Sequence, residues 1–161
     1  MIHLYRLGED DMLLVACWNE MVKTGDLDKV WYDPPTLGAC LTHFVSGENI
    51  LMLCLDEDGC WAAFWFEPFA AGAFFNAWIH PRKRGTKEGI GAMIKVSEIG
   101  LQSFNILMAA TKQERTYGLA LKLGCAKLVE VPGLFGSDPA FFVLMTRESL
   151  EKVKEKHYGQ R

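Results

Sequence analysis

The stretch Ala77-Trp78-Ile79-His80-Pro81-Arg82-Lys83-Arg84-Gly85-Thr86-Lys87-Glu88-Gly89-Ile90-Gly91 decides how the rest of the chain is read. It leaves an apolar, aromatic segment at a proline, which cannot donate to a strand ladder. It then passes through basic and glycine positions into a helical pattern, in which Ala92, Met93, Val96 and Ile99 make one apolar face. Glycines at a helix start leave backbone N–H groups approachable, and the helix dipole favours an anion there. Arg82, Lys83, Arg84 and Lys87 add positive charge to a chain whose formal net charge is -3. The segment reads as a phosphate cradle. The plainer alternative is a turn with a solvated basic face.

Upstream, His3 to Leu7 alternates as a short first strand does. Asp10 to Lys23 carries Leu14, Trp18 and Met21 at helical spacing, with Val22 beside them, and Thr24-Gly25 ends that helix. Asp26 to Asp33 reads as a loop holding Trp31 and Tyr32. Pro34-Pro35 open a second helix with Leu37, Leu41, Phe44 and Val45 on one face, closed by Ser46-Gly47. Asn49 to Leu55 and Cys60 to Phe66 are strands joined by the turn Asp56-Glu57-Asp58-Gly59. Ala70-Ala71-Gly72 turns again into Ala73 to Ile79, completing an antiparallel meander.

Downstream, Phe104 to Ala109 is a strand. Thr116, Leu119, Ala120 and Leu123 fall at i, i+3, i+4, i+7, with Gly124 as the residue after the helix end. Ala126 to Val131 and Ala140 to Met145 are the last strands, with a Gly/Pro loop between them. Glu148 to Lys156 is a charged, thinly apolar helix or tail. The expected fold is α+β: one mixed, mostly antiparallel sheet of about seven strands with helices on both faces and one right-handed parallel crossover. Residues 1–147 form the domain and 148–161 the charged C-terminal helix or tail.

Length and composition agree. The 161 residues suit one domain, and the 50% apolar content excludes a disordered chain. No stretch reaches the ~18 apolar residues of a membrane span, and Met1 to Arg6 lack a signal-peptide pattern. The slight acidic excess disfavours a nucleic-acid contact through Arg82–Lys87. The 5 cysteines show no zinc spacing. The turn registers put Cys54 opposite Trp61 or Ala63 rather than Cys60, so reduced thiols are expected, as in a cytoplasmic protein.

This order, with Ile79-His80-Pro81, Arg84-Gly85, Gly89-Ile90-Gly91 and Lys122-Leu123-Gly124-Cys125 in their places, resembles the GNAT N-acetyltransferase family. Element order is similar over nearly the whole chain, motifs only over about Phe74 to Val131. The resemblance implies acetyl transfer from acetyl-CoA to a small-molecule or protein amine. It implies that Arg84, Gly85, Lys87, Gly89, Ile90 and Gly91 hold the pyrophosphate. Strand Ala73 to Ile79, through Trp78 and Ile79, holds the pantetheine arm, with an oxyanion donor around Asn76 to Trp78.

The sequence departs from the family in three places. Counting back from Gly89, the family's Arg/Gln position holds Thr86. Aligning on Arg84-Gly85 instead inserts two residues. The family's thiolate-side Tyr is Ala120 here, with Tyr117 a turn earlier as the nearest hydroxyl. The fourth strand carries no acid, which leaves Glu67 and His80 as candidate bases. These gaps resemble GNAT-like domains of phage virion and head-assembly proteins. The rival expectation is therefore a non-catalytic assembly protein of phage or prophage origin, located in a virion rather than the cytoplasm; a homodimer is a further expected partner. Trp31, Tyr32, Asp26, Asp28 and Asp33 would rim the acceptor site and suit a cationic amine. The alternative is a solvated loop with Trp31 packed on the core.

Overall fold

The computed structural model describes residues 1–6, 8–31, 34–45, 49–70, 72–135 and 138–159. In chain order the elements are β1 (Ile2–Leu4), α1 (Asp11–Lys23), α2 (Leu27–Val30), α3 (Leu37–Val45), β2 (Ile50–Asp56), β3 (Gly59–Phe69), β4 (Gly72–Ile79), a 3-10 turn (Pro81–Lys83), α4 (Lys87–Ser103), β5 (Ile106–Thr111), α5 (Glu114–Lys122), β6 (Ala126–Phe135), β7 (Asp138–Thr146) and α6 (Arg147–Tyr158). The strands form one seven-stranded mixed sheet in the order β1-β2-β3-β4-β5-β7-β6. This is the α+β architecture expected, including the parallel pairing of β4 with β5 across the α4 crossover. The chain divides into two compact units, Met1–Glu67 with Asn76–Met93, and Pro68–Phe75 with Ile94–Arg161.

In the first unit, α1 turns Leu14, Cys17, Trp18 and Met21 onto Leu51, Leu53, Ala63, Trp65 and Trp78. Val22, read as lying beside these residues, points outward and is 52% exposed; it falls at the edge of the stripe that Leu14, Cys17, Trp18 and Met21 define. The expected loop after α1 contains the short helix α2. Trp31, just beyond it, is stacked on Trp65 at 5.2 Å and tilted against Trp18 at 6.0 Å. Trp31 therefore packs on the core, the second of the two expectations for it. Tyr32 and Asp33, Leu7 of the first strand, and Ser46-Gly47 at the end of α3 lie outside the described residues, as does Ala71 of the turn into β4.

The register of the β2–β3 hairpin differs from both expected ones. Cys54 faces Ala62 and Leu55 faces Cys60, so Trp61 has no opposite number. A bulge on β3 absorbs the extra residue, which period-two counting across the turn cannot see. All five cysteines are free. Cys17, Cys40, Cys54 and Cys60 are buried and Cys125 is half-buried.

In the second unit, β5 pairs antiparallel with β7, and β7 with β6. The helix end at Gly124 is as expected. Gly124 adopts φ +85°, its N–H donates to Leu121 O, and Cys125 N–H donates to Ala120 O. That reciprocal pair is a Schellman stop. A Cβ at Gly124 would also meet Val153 and the Ser149 carbonyl of α6. The inward side of α5 is one residue off the expected stripe. Thr116 and Leu119 are exposed, whereas Tyr117, Ala120 and Leu123 are half-buried.

The expected loop from 132 onward is partly strand, since β6 continues through Pro132 and Gly133 to Phe135. An edge strand tolerates a proline whose missing N–H faces away from the ladder. The charged C-terminal segment is a helix with a core face, burying Leu150 and Val153. It starts at a capping box in which Thr146 and Ser149 bond reciprocally. Among the described residues no helix is long and apolar enough to cross a membrane.

Candidate functional site

The basic run between β4 and α4 is held down by carboxylates of its own chain. Arg82 donates to Asp56 at 2.8 Å and also pairs with Asp58, both in the β2–β3 turn. Lys83 pairs with Asp56 at 3.3 Å and Glu88 at 2.5 Å. Arg84 donates through Nε to the Ile79 carbonyl at 2.7 Å and through its terminal nitrogen to Asp26. Lys87 makes no ion pair among the described residues. The four positive charges read from the sequence therefore reduce to one unpaired charge at the start of α4.

Asp26 is the hub of this arrangement. Its side chain is 0% exposed. It accepts from Thr24 Oγ1 at 2.8 Å, Lys29 Nζ at 2.8 Å, Trp78 Nε1 at 3.0 Å and Arg84. Burial alone would raise a carboxyl's pKa, but these four donors outweigh it and hold Asp26 at about 2. Asp26 is thus an internal counter-ion and not part of an acidic rim. It ties the α1–α2 corner to the end of β4 and to the loop that launches α4.

The α4 start itself is capped from within. Thr86 Oγ1 accepts from Gly89 N at 3.1 Å, and Thr86 O accepts from Ile90 N at 3.0 Å. Thr86, read as a departure from the family's Arg/Gln, is an N-cap. Gly89 is required for a local reason: a Cβ there would drive into the Lys83 carbonyl. Gly85 supplies φ +73° at the turn before it. The backbone N–H groups at 87 and 88 and the Lys87 ammonium have no bonded partner among the described residues.

His80 caps the 3-10 turn. Its Nδ1 accepts from Arg82 N at 3.2 Å, and its Nε2 lies 3.6 Å from Glu20. Both ring nitrogens therefore face a protein partner. Glu67 sits near the end of β3. Its Oε1 accepts from Trp65 Nε1 at 2.9 Å and from Asn76 Nδ2 at 3.0 Å, and His43 Nε2 is 3.7 Å away. The first unit thus holds Glu67, His80, Trp78, Ile79 and the 84–91 loop. Tyr117 belongs to the second unit, where its ring stacks on Phe141 with centroids 4.8 Å apart. Among the described residues no cluster of His, Cys, Asp or Glu could hold a metal ion.

Sequence reading missed Asp26 as a counter-ion and His43 beside Glu67. Asp26 carried one usable signal: an acid directly after a Thr-Gly helix stop is a common place for a side chain that folds back on its own turn.

No family model matches the sequence, and no curated protein resembles it. Solved structures do match. Spermidine N-acetyltransferase from Vibrio cholerae, in complex with CoA and spermine, superposes with a TM-score of 0.73 at 8% identity, over 94% of this chain and 97% of that one. AAC(6')-Ib in complex with paromomycin and acetyl-CoA gives 0.71 at 10% identity, over 95% and 97%. Ribosomal-protein-alanine N-acetyltransferase from Brucella melitensis gives 0.67 at 11%, over 91% and 99%. The fold is that of the GNAT N-acetyltransferases. At these identities the likeness is one of fold.

Proposed function

We propose that the chain is an acyl-CoA-dependent N-acyltransferase, moving an acetyl group from acetyl-CoA to an amine. The observation that carries this reading is the shared fold. At least 91% of each chain superposes on proteins named as N-acetyltransferases, and on complexes that contain CoA or acetyl-CoA. The α4 start fits a phosphate in part. Lys87 and the first-turn N–H groups supply positive potential, with Gly85, Gly89, Ile90 and Gly91 shaping the backbone around it. Arg84 contributes from a guanidinium already shared with Asp26. Ile79 and the backbone of Trp78 on β4 line the acyl arm in this reading; the Trp78 side chain itself is buried beneath α1 and bonded to Asp26.

Acetyl-CoA supplies an acyl carbon activated as a thioester. The chain's own contribution is to position the amine, remove its proton and offer a backbone donor on β4 to the developing oxyanion. Glu67 is the better-placed base: its Oε1 is fixed by two donors and its Oε2 accepts none among the described residues. His80 Nδ1 is committed to the Arg82 N–H. Tyr117, in the second unit, is the candidate proton donor for the leaving thiolate.

A second reading is favoured by one observation, the internal pairing of Arg82, Lys83 and Arg84. In it the chain is a non-catalytic GNAT-fold protein of an assembly such as a phage virion. Calorimetry and thermal melting with acetyl-CoA separate the two. Ligand at 100 times its Kd adds about 2.7 kcal/mol to stability. No shift at millimolar acetyl-CoA favours the assembly protein. If binding occurs, Lys87→Ala weakens it more than Lys83→Ala, since only Lys87 is unpaired.

A further inference from the structure

Trp65 and Glu67 lie two residues apart on β3 and so share one face of the sheet. Their surroundings are opposite. Trp65 is 1% exposed, stacked on Trp31 at 5.2 Å and edge-on to Phe44 at 5.9 Å. The Glu67 side chain is 39% exposed. The buried indole nevertheless reaches the open carboxylate, donating from Nε1 to Oε1 at 2.9 Å. Asn76 Nδ2, from β4, donates to the same oxygen at 3.0 Å, and the His43 ring lies 3.7 Å from it. Oε2 accepts from no described residue.

This asymmetry sorts the two oxygens chemically. A proton on Oε1 would sit among two N–H groups already aimed at that atom. A proton on Oε2 leaves Oε1 as a carbonyl oxygen, whose two lone pairs keep both bonds. The asymmetry also fixes the side chain. An exposed glutamate otherwise keeps much rotamer freedom, and two donors from neighbouring strands remove it. The indole is a rigid donor, because the rings of Trp31 and Phe44 set its plane. A carboxylate held in this way is oriented before any amine arrives.

We propose that Trp65 is the positioning residue of the amine-side base: its indole N–H, with the Asn76 amide, holds Glu67 by Oε1 and leaves Oε2 to receive the amine proton. This rests on the acyl-transfer reading and assigns to it a residue that acts only through Glu67. In the step, one N–H bond of the bound ammonium breaks and its electron pair stays on the nitrogen, which becomes the nucleophile. The proton bonds to Oε2, and the carboxylate becomes a neutral acid. Oε1 keeps both donors throughout, so nothing around it has to reorganise. Loss of the indole N–H frees charge on Oε1, the oxygen turned away from the amine, and loosens the side chain. The Asn76 bond sets the carboxylate beside β4, the strand assigned to the acyl arm.

The test has two arms. In the first, the Trp65 indole N–H signal, assigned by triple-resonance NMR, is followed as n-butylammonium is added without acetyl-CoA. It should move upfield and saturate, as an ammonium on Oε2 draws charge from the carboxylate, and should not respond in Glu67→Gln. In the second, CoA release with butylamine is measured as a double-mutant cycle. Trp65→Phe keeps a ring against Trp31 and removes the N–H. It should lower kcat about tenfold with the acetyl-CoA KM unchanged, and cost less than about twofold when added to Glu67→Gln. Trp18→Phe trims the same aromatic cluster without touching Glu67 and should stay within about twofold of the parent. A tenfold loss that persists in Glu67→Gln, an equal loss in Trp18→Phe, or an indole signal that ignores butylammonium overturns the proposal. Where Trp65→Phe does not fold or butylamine is not turned over, the first arm decides alone. If the indole signal responds and calorimetry finds no acetyl-CoA binding, the Trp65–Glu67 arrangement stands and the acyl-transfer reading falls.

Discussion

Replacing Asp26 by Asn tests the hub that fixes the loop before α4. The substitution keeps size and an acceptor for Trp78 but removes the charge that Arg84 and Lys29 share. Asp26 is held at about 2, below its ordinary value of 3.8. At ~1.4 kcal/mol per unit, that difference corresponds to roughly 2.4 kcal/mol of stability at neutral pH. Arg84 and Lys29 are 43% and 49% exposed, so water screens part of the attraction and about 1–2 kcal/mol is the expectation. Because the folded pKa is the lower one, this stability is present above the unfolded value. It is lost as pH falls from about 4 to about 2. Urea unfolding of both proteins at pH 7 and at several points down to pH 2.5 measures it. Asp26→Asn should be less stable at pH 7, and the gap should close with acid. A gap of the same size at every pH would show that packing, not charge, carries the site, and would refute the reasoning.

Gly118→Ala on α5 should stabilise by about 0.5–1 kcal/mol in thermal melts, since a Cβ there meets nothing within 4 Å. Gly89→Ala should cost about 1–3 kcal/mol, because the Lys83 carbonyl must move and the cap at Thr86 with it. Thr146→Ala should cost about 1 kcal/mol by opening the α6 capping box, and hydrogen exchange should show faster opening of the first turn of α6. Tyr117→Phe, assayed as CoA release, should slow turnover about 10- to 100-fold without changing acetyl-CoA affinity. A silent Tyr117→Phe in an active enzyme would assign thiolate protonation to solvent.

The element order was legible because it depends on local pattern: apolar periodicity, the Asp-Gly turn, and the glycine that ends α5. The Gly124 stop is legible to the atom, since a Schellman motif is built from consecutive residues. The charge at the α4 start was not. Arg84 meets Asp26 across 58 residues of sequence, and Arg82 meets Asp58 and Asp56 across 24 and 26. Apart from Glu88, which pairs with Lys83 five residues away, the partners arrive only with the tertiary fold. His80 misled for a related reason. A lone histidine at a strand end looks available until the N–H of Arg82, two residues on, is seen to occupy its Nδ1. The hairpin register failed at a single bulged residue, Trp61, where pairing depends on packing of both faces rather than on turn length.

The thiols give the protein a built-in clock. Four of the five cysteines lie in the core of the first unit, and burial pushes Cys40 to about 11 and Cys54 to about 12. Only half-buried Cys125 in the second unit approaches the surface, and its thiol too is pushed up, to about 11. A colorimetric thiol reagent added to the native protein at neutral pH should thus show at most one slowly reacting group per chain, a low background for following released CoA. Pulse labelling then reads the two units separately: modification of Cys125 times the fraying of the α5 end, while simultaneous modification of Cys17, Cys40 and Cys60 times the opening of the core beneath α1.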